Sequence, residues 1–188
     1  MPSFVLTSIS ISLNANVLLP SFQSSCTDIT LTLEDGKSIQ AHKSILRARS
    51  PLLRSALASL LVNDYKLDGS PAVVKELVKF LYSGTPPENL ESISIELLPL
   101  ASKYRIDDLF LMCERALRRI LSVDNVVDIL ILSQVYDLPL LFKYCLPFYQ
   151  ANAMRLNPQS EEKLEGHPKL LLKLAKGFAV QCDNCSLF

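Results

Sequence analysis

The sequence lacks most of the features that announce a chemistry. Of its 188 residues only five are glycine and five are cysteine, and 19 acids cancel 19 lysines and arginines. A pI near 6.7 argues against a nucleic-acid binder held by phosphate contacts, which needs a concentrated basic face. Cys26, Cys113, Cys145, Cys182 and Cys185 are odd in number and scattered along the chain. A secreted disulfide scaffold is shorter and denser in cysteine, so we expect a reducing compartment, cytoplasmic or nuclear. No apolar run reaches the roughly 18 residues of a membrane span. Residues 1–27 carry no charged side chain. A secretory leader would also need a basic start and an unbroken apolar stretch, and here Ser, Asn and Pro20 interrupt it. No Walker loop, GxGxxG or HExxH occurs. The expectation is a soluble protein with no membrane, nucleic-acid, metal or cofactor partner.

What the chain does contain is leucine, roughly one residue in five, within 49% hydrophobic residues. With so little glycine this is a mostly helical composition. A chain of this length buries roughly 70% of its unfolded surface and needs no staples to fold.

Near the N-terminus Val5, Ile9, Ile11 and Leu13 fall on odd positions and Ser8, Ser10, Ser12 and Asn14 on even ones. This period of two predicts a half-buried strand, either a sheet edge or a strand lent to a partner. Residues 29–33 and 38–41 are short β-rich runs around Asp35-Gly36, a hairpin signal because glycine supplies positive φ. A helix is expected at 42–48, and Ser50-Pro51 opens another, serine as N-cap and proline at the first helical position. Tyr65-Lys66-Leu67 is a candidate third strand. Val73, Val74, Leu77, Val78 and Leu81 predict an amphipathic helix over 71–82, stopped by Gly84. Helices are expected at 93–103, 106–121, 123–136, 139–151 and 168–177. In the second of these, Ile106, Leu109, Phe110, Cys113, Leu117 and Ile120 share a face. Residues 126–132 are apolar all round, as in a buried helix. Pro99 and Pro147 interrupt helical patterns, where each predicts a kink or an early start. The fold class is α+β, a small sheet packed on a helical cluster followed by helices alone.

Several motifs occur in order. TDITLTLEDGKSIQAHKSILRARSPLLRSAL holds Asp28, Ala41-His42-Lys43 and Ser50-Pro51. LVKFLYSG ends the amphipathic helix, and LLPLASKYRIDDLFLMCERAL holds Ala101, Lys103-Tyr104, Leu109, Cys113-Glu114 and Leu117. Over about a hundred residues this resembles a BTB/POZ domain. The following helices, with Asn125, Tyr136, Leu141, Cys145, Phe148 and His167-Pro168, resemble the BACK extension of many such proteins. The nearest pattern is the speckle-type POZ group, in which a MATH domain precedes the BTB domain; the expectation is a member without that MATH domain, although the 5–13 strand resembles its last strand. The organisation expected is an N-terminal segment (1–20), a BTB/POZ domain (21–121), a BACK-like region (122–180) and a tail (181–188).

The resemblance implies a protein-interaction module without enzymatic activity. It implies self-association, and docking of the N-terminal domain of cullin-3 on the 51–62 helix, its following loop and the 97–105 helix. Leu57, Leu60, Leu61, Val62, Lys103 and Tyr104 are the expected contact residues. Asp28 and Lys43 would form a charged pocket near the dimer interface, with Ile9, Ile11 and Leu13 as an exchanged strand. The function implied is a substrate-specific adaptor of a cullin-3 RING ubiquitin ligase; the alternative is a non-ligase scaffold that interferes with full-length BTB proteins by pairing with them. Two departures matter. Cullin-binding members carry a hydrophobic-x-Glu motif just after this helix, whereas residues 55–63 contain no acid, which predicts weakened cullin binding. The helix that usually precedes the hairpin is replaced by a short segment broken at Pro20.

Other chemistry reads as structure. Cys26, Asp28 and His42 could be drawn as a nucleophilic set, but no glycine-rich turn supplies an oxyanion hole. Cys182 and Cys185 form a CxxC without the second pair a zinc site needs. The arginines at 47, 49, 54, 115, 118 and 119 lie opposite apolar stripes, as solvated faces do.

Overall fold

The computed structural model describes residues 27–59 and 61–175. The expected 5–13 strand, Leu60, and the cysteines at 26, 182 and 185 lie outside the described residues. The chain divides into two compact units, one ending at Pro87 and one beginning at Glu88. The division falls in the Thr85-Pro86-Pro87 loop, inside the expected 21–121 domain.

The first unit begins with the hairpin of β1 (Ile29–Thr32) and β2 (Ser38–Ala41). Ile29 and Leu31 are buried while Thr30 and Thr32 are half-exposed, the alternation that a one-sided sheet imposes. The turn is a three-residue loop, with Gly36 N–H donating to the Leu33 carbonyl (3.1 Å) and Leu33 N–H to Lys37 (2.8 Å). Gly36 has φ 78°, which closes the loop without a Cβ penalty. Then α1 (Lys43–Arg49) and α2 (Pro51–Ala56) share Ser50. Its N–H donates back to Leu46 (3.0 Å), and its Oγ accepts from Leu53 N–H (3.2 Å). One buried serine therefore ends one helix and caps the next.

Strand β3 (Asp64–Lys66) returns parallel to β1, giving the order β2-β1-β3. Thr32 Oγ1 donates to Asp64 Oδ1 (2.7 Å) across this pair. Helix α3 (Pro71–Ser83) buries Val73, Val74, Leu77, Val78, Phe80 and Leu81, and ends at Gly84. Each such aliphatic side chain removed from water contributes roughly 1.5–3 kcal/mol.

The second unit is helical: α4 (Leu90–Lys103), α5 (Asp107–Arg119), α6 (Val126–Val135), α7 (Pro139–Asn152), a 3-10 turn (Ala153–Arg155) and α8 (Pro158–Glu165), with 168–175 helical again. The helices α4 and α6 end alike. Arg105 and Asp137 take left-handed φ of 53° and 49°, and Ile106 N–H and Leu138 N–H reach back to the Ala101 and Ser133 carbonyls (2.9 and 2.7 Å). These are Schellman closures, each followed by a buried apolar residue.

Three expectations are revised. Of the kink or early start expected at Pro99 and Pro147, the early start is not seen: both lie inside α4 and α7, which neither start nor stop there. Helix α4 begins at Leu90, three residues before the periodic stretch. Helix α8 was not expected, because Leu164 is its one buried apolar side chain; its start is instead set by Asn157, whose Oδ1 accepts from Ser160 N–H (2.8 Å), and by Pro158 at the first position. Among the described residues no helix is long and apolar enough to cross a membrane.

Candidate protein-interaction site

The loop after α2 carries the first candidate residues. Leu57 is fully buried, and by Leu61 the chain has turned outward, leaving that side chain 89% exposed. Val62 is half-buried beside it. Leu61 thus stands in the loop five residues past the end of α2, a large aliphatic side chain left in water. Leu57 is not available as a contact. It closes α2 from inside, its N–H donating to the Leu53 carbonyl (2.9 Å), and its side chain belongs to the core.

In the second unit Lys103 is exposed and Tyr104 is fully buried. Tyr104 ends α4, and its ring carries the Lys103 ammonium 5.9 Å from the centroid. Burial of the ring corrects its expected place on a partner-facing surface; of this pair, Lys103 alone offers surface.

Asp28 and Lys43 do come together. Helix α1 has no cap from its own preceding residue His42; the Asp28 carboxylate supplies it, accepting the Lys43 N–H at 2.7 Å. A carboxylate at a helix N-terminus also meets the positive end of the dipole. The Lys43 side chain is buried, and its Nζ donates to Asn63 Oδ1 (3.4 Å). Together with Thr27, Thr30 and Gln40 these residues line a depression of about 480 Å³ at the start of β1. Ile29 also lines it, so its walls are mixed polar and apolar, with a carboxylate and an ammonium stem facing it. Asn63 and Gln40 are members that the sequence did not signal, since tertiary folding alone carries the β2 and β3 ends to Asp28.

His42 stands beside this pocket without joining it. Its N–H donates to Tyr82 Oη (2.8 Å), and its Nδ1 lies 2.9 Å from the same oxygen. Asp28 and His42 thus have different partners, which matches a structural histidine rather than a relay. Burial pushes the Cys113 and Cys145 thiols up to about 12, where neither is a nucleophile near neutrality. Among the described residues no group of three His, Cys, Asp or Glu side chains is arranged to hold a metal ion.

Comparison with known proteins places the chain in a family. Residues 19–121 match the BTB/POZ domain. The mouse TD and POZ domain-containing proteins 4 and 1 are each 35% identical to the chain, over 77% and 84% of it. The protein maternal effect lethal 26 of Caenorhabditis elegans is 30% identical over 73%. The chain spans less than half the length of these relatives, 41%, 45% and 37% respectively. Among solved structures, the BTB domain of human Gigaxonin is 27% identical with a TM-score of 0.46, over 60% of this chain and 96% of that one. The BTB domain of zebrafish PATZ1 is 22% identical with a TM-score of 0.44, over 50% and 76%. A domain match across more than half the chain and relatives 30–35% identical over 73–84% of it lead to one conclusion: this chain belongs to the BTB/POZ domain family, and carries its protein-interaction module.

Proposed function

We propose that the chain is a self-associating adaptor that docks on the N-terminal domain of cullin-3 and so serves a RING ubiquitin ligase as a substrate-specific component. The observation that carries this is Leu61, 89% exposed in the loop after α2, where the family resemblance puts the cullin anchor, with Val62 beside it and Lys103 as an exposed cation in the second unit. Self-association uses the depression of Asp28 and Lys43, with the 5–13 strand (Ile9, Ile11, Leu13) as the exchanged element. The setting is the cytoplasm or nucleus.

A second reading is favoured by one specific observation. Residues 55–63 contain no acid, so the glutamate of the hydrophobic-x-Glu motif has no counterpart and cullin binding is weakened. A chain of this kind pairs with full-length BTB proteins and interferes with them, or acts as a non-ligase scaffold.

Light scattering on the chain alone and mixed with the cullin-3 N-terminal domain separates the readings. The adaptor reading expects a dimer mass and a weak cullin complex that Leu61→Asp abolishes. A dimer that never takes up cullin selects the scaffold. A monomer at high micromolar concentration removes self-association, and full family-level cullin affinity refutes the weakening.

A further inference from the structure

The second unit contains its own control for what a surface helix should look like. Aligning the two left-handed closures, Tyr104-Arg105-Ile106 and Tyr136-Asp137-Leu138, sets α5 on α7 residue for residue: Leu109-Phe110 with Leu141-Phe142, and Cys113 with Cys145. The burial follows the same alignment, with Leu109, Cys113 and Leu117 buried in α5 and Leu141, Cys145 and Tyr149 in α7. These are two copies of one helical hairpin, each presenting one face to the core.

Their outward faces differ. At the corresponding positions α5 carries Asp108, Arg115 and Arg119, all exposed, around a half-buried Met112, with one exposed leucine beside them, Leu111 at 48%, a mostly charged stripe. The equivalent positions of α7 are Leu140, Tyr144, Pro147 and Ala151, all exposed, continued by Met154 in the 3-10 turn. Leu140 is 67% exposed, Tyr144 54% and Met154 100%. The spacing alternates four and three residues, the repeat of a seam that receives another helix. Helix α7 is therefore apolar on two opposite sides, and its core needs only one of them.

Charge identifies the occupant. From Pro139 to Asn157 there is no acidic residue, and the exposed rim cations are Lys143 and Arg155. A second copy of α7 would bring no acid to that rim. The chain's own residues 176–188 contain a single acid, Asp183. We infer that the outer face of α7 is a docking groove for an amphipathic helix of a partner protein, apolar at the seam and acidic along its flanks. The inference does not rest on cullin binding.

The test uses the full chain and a synthetic three-heptad helix with leucine at the seam positions and glutamate at the flanks, followed by fluorescence anisotropy. The expected result is saturable binding that Tyr144→Glu weakens at least tenfold and that rising salt weakens further, as a charged rim requires. A twin peptide with lysine at the flanks should bind at least tenfold more weakly. Tyr144 is exposed, so the variant keeps its helical circular dichroism and its response to cullin-3. No binding by the wild-type chain overturns the inference, as does equal binding by the Tyr144→Glu variant or by the lysine twin. Loss of self-association in that variant would identify a second copy as the occupant and overturn it equally.

Discussion

One phenol oxygen ties the start of α1 to the end of α3: Tyr82 Oη accepts the His42 N–H at 2.8 Å and lies 2.9 Å from His42 Nδ1. The rings meet edge-on, 6.0 Å between centroids. The oxygen accepts from the main chain and also pairs with the ring nitrogen, where the donor depends on the His42 tautomer.

Replacing Tyr82 by Phe leaves the His42 N–H and Nδ1 without this partner while keeping the ring. The expected cost is about 1–2 kcal/mol, the range for a lost partly buried hydrogen bond. Urea denaturation of wild type and variant measures it; an unchanged midpoint would show that water replaces the phenol.

The residues after α2 separate core from surface. Leu57→Ala empties a fully buried site and should lose roughly 2–5 kcal/mol. Leu61→Ala, four residues on and 89% exposed, should change stability by less than about 0.5 kcal/mol while weakening cullin-3 binding. Equal destabilisation by both would put Leu61 in the core.

Asp28 is the cap of α1, so Asp28→Ala should cost about 1 kcal/mol, and Asp28→Asn, which keeps an acceptor oxygen, should cost less. If the pocket also serves self-association, both variants shift the dimer equilibrium in sedimentation. A stability loss with an unchanged dimer would confine Asp28 to capping.

Alkaline pH should destabilise the fold through groups that burial keeps protonated. Tyr82 is raised from 10.0, first by burial, and the Cys113 and Cys145 thiols from 9.0 to about 12. The folded chain then holds protons that the unfolded chain releases. The contribution of the thiols is complete below pH 9.0 and is lost as pH climbs towards about 12. Each titrating group adds a slope of about 1.4 kcal/mol per pH unit. Denaturation midpoints across this range should fall, and less steeply in Cys113→Ala. At neutral pH both thiols should resist alkylation until the chain unfolds; rapid labelling of the native protein would contradict their burial.

Much of the fold was legible because its signals are local. Alternation at Ile29 and Leu31, the glycine turn, Ser50-Pro51, the apolar stripe of α3 and the Gly84 stop each act within a few residues. The start of α8 was equally local, at Asn157-Pro158, yet it went unseen without an apolar period to accompany it. The seam of α7 was present as spacing too, but a sequence cannot say which of two apolar faces turns inward.

The amino-acid order by itself determined where the chain bends and which segments are helix or strand, since caps, turns and periodicity are decided by neighbours along the backbone. Only the tertiary structure decided that Leu57 and Tyr104 turn inward while Leu61 stays in water, that Tyr82 meets His42, and that Asn63 joins Asp28 and Lys43. Those outcomes depend on contacts between residues far apart in the chain. Exposure is set by what packs on top, and no local rule carries that information.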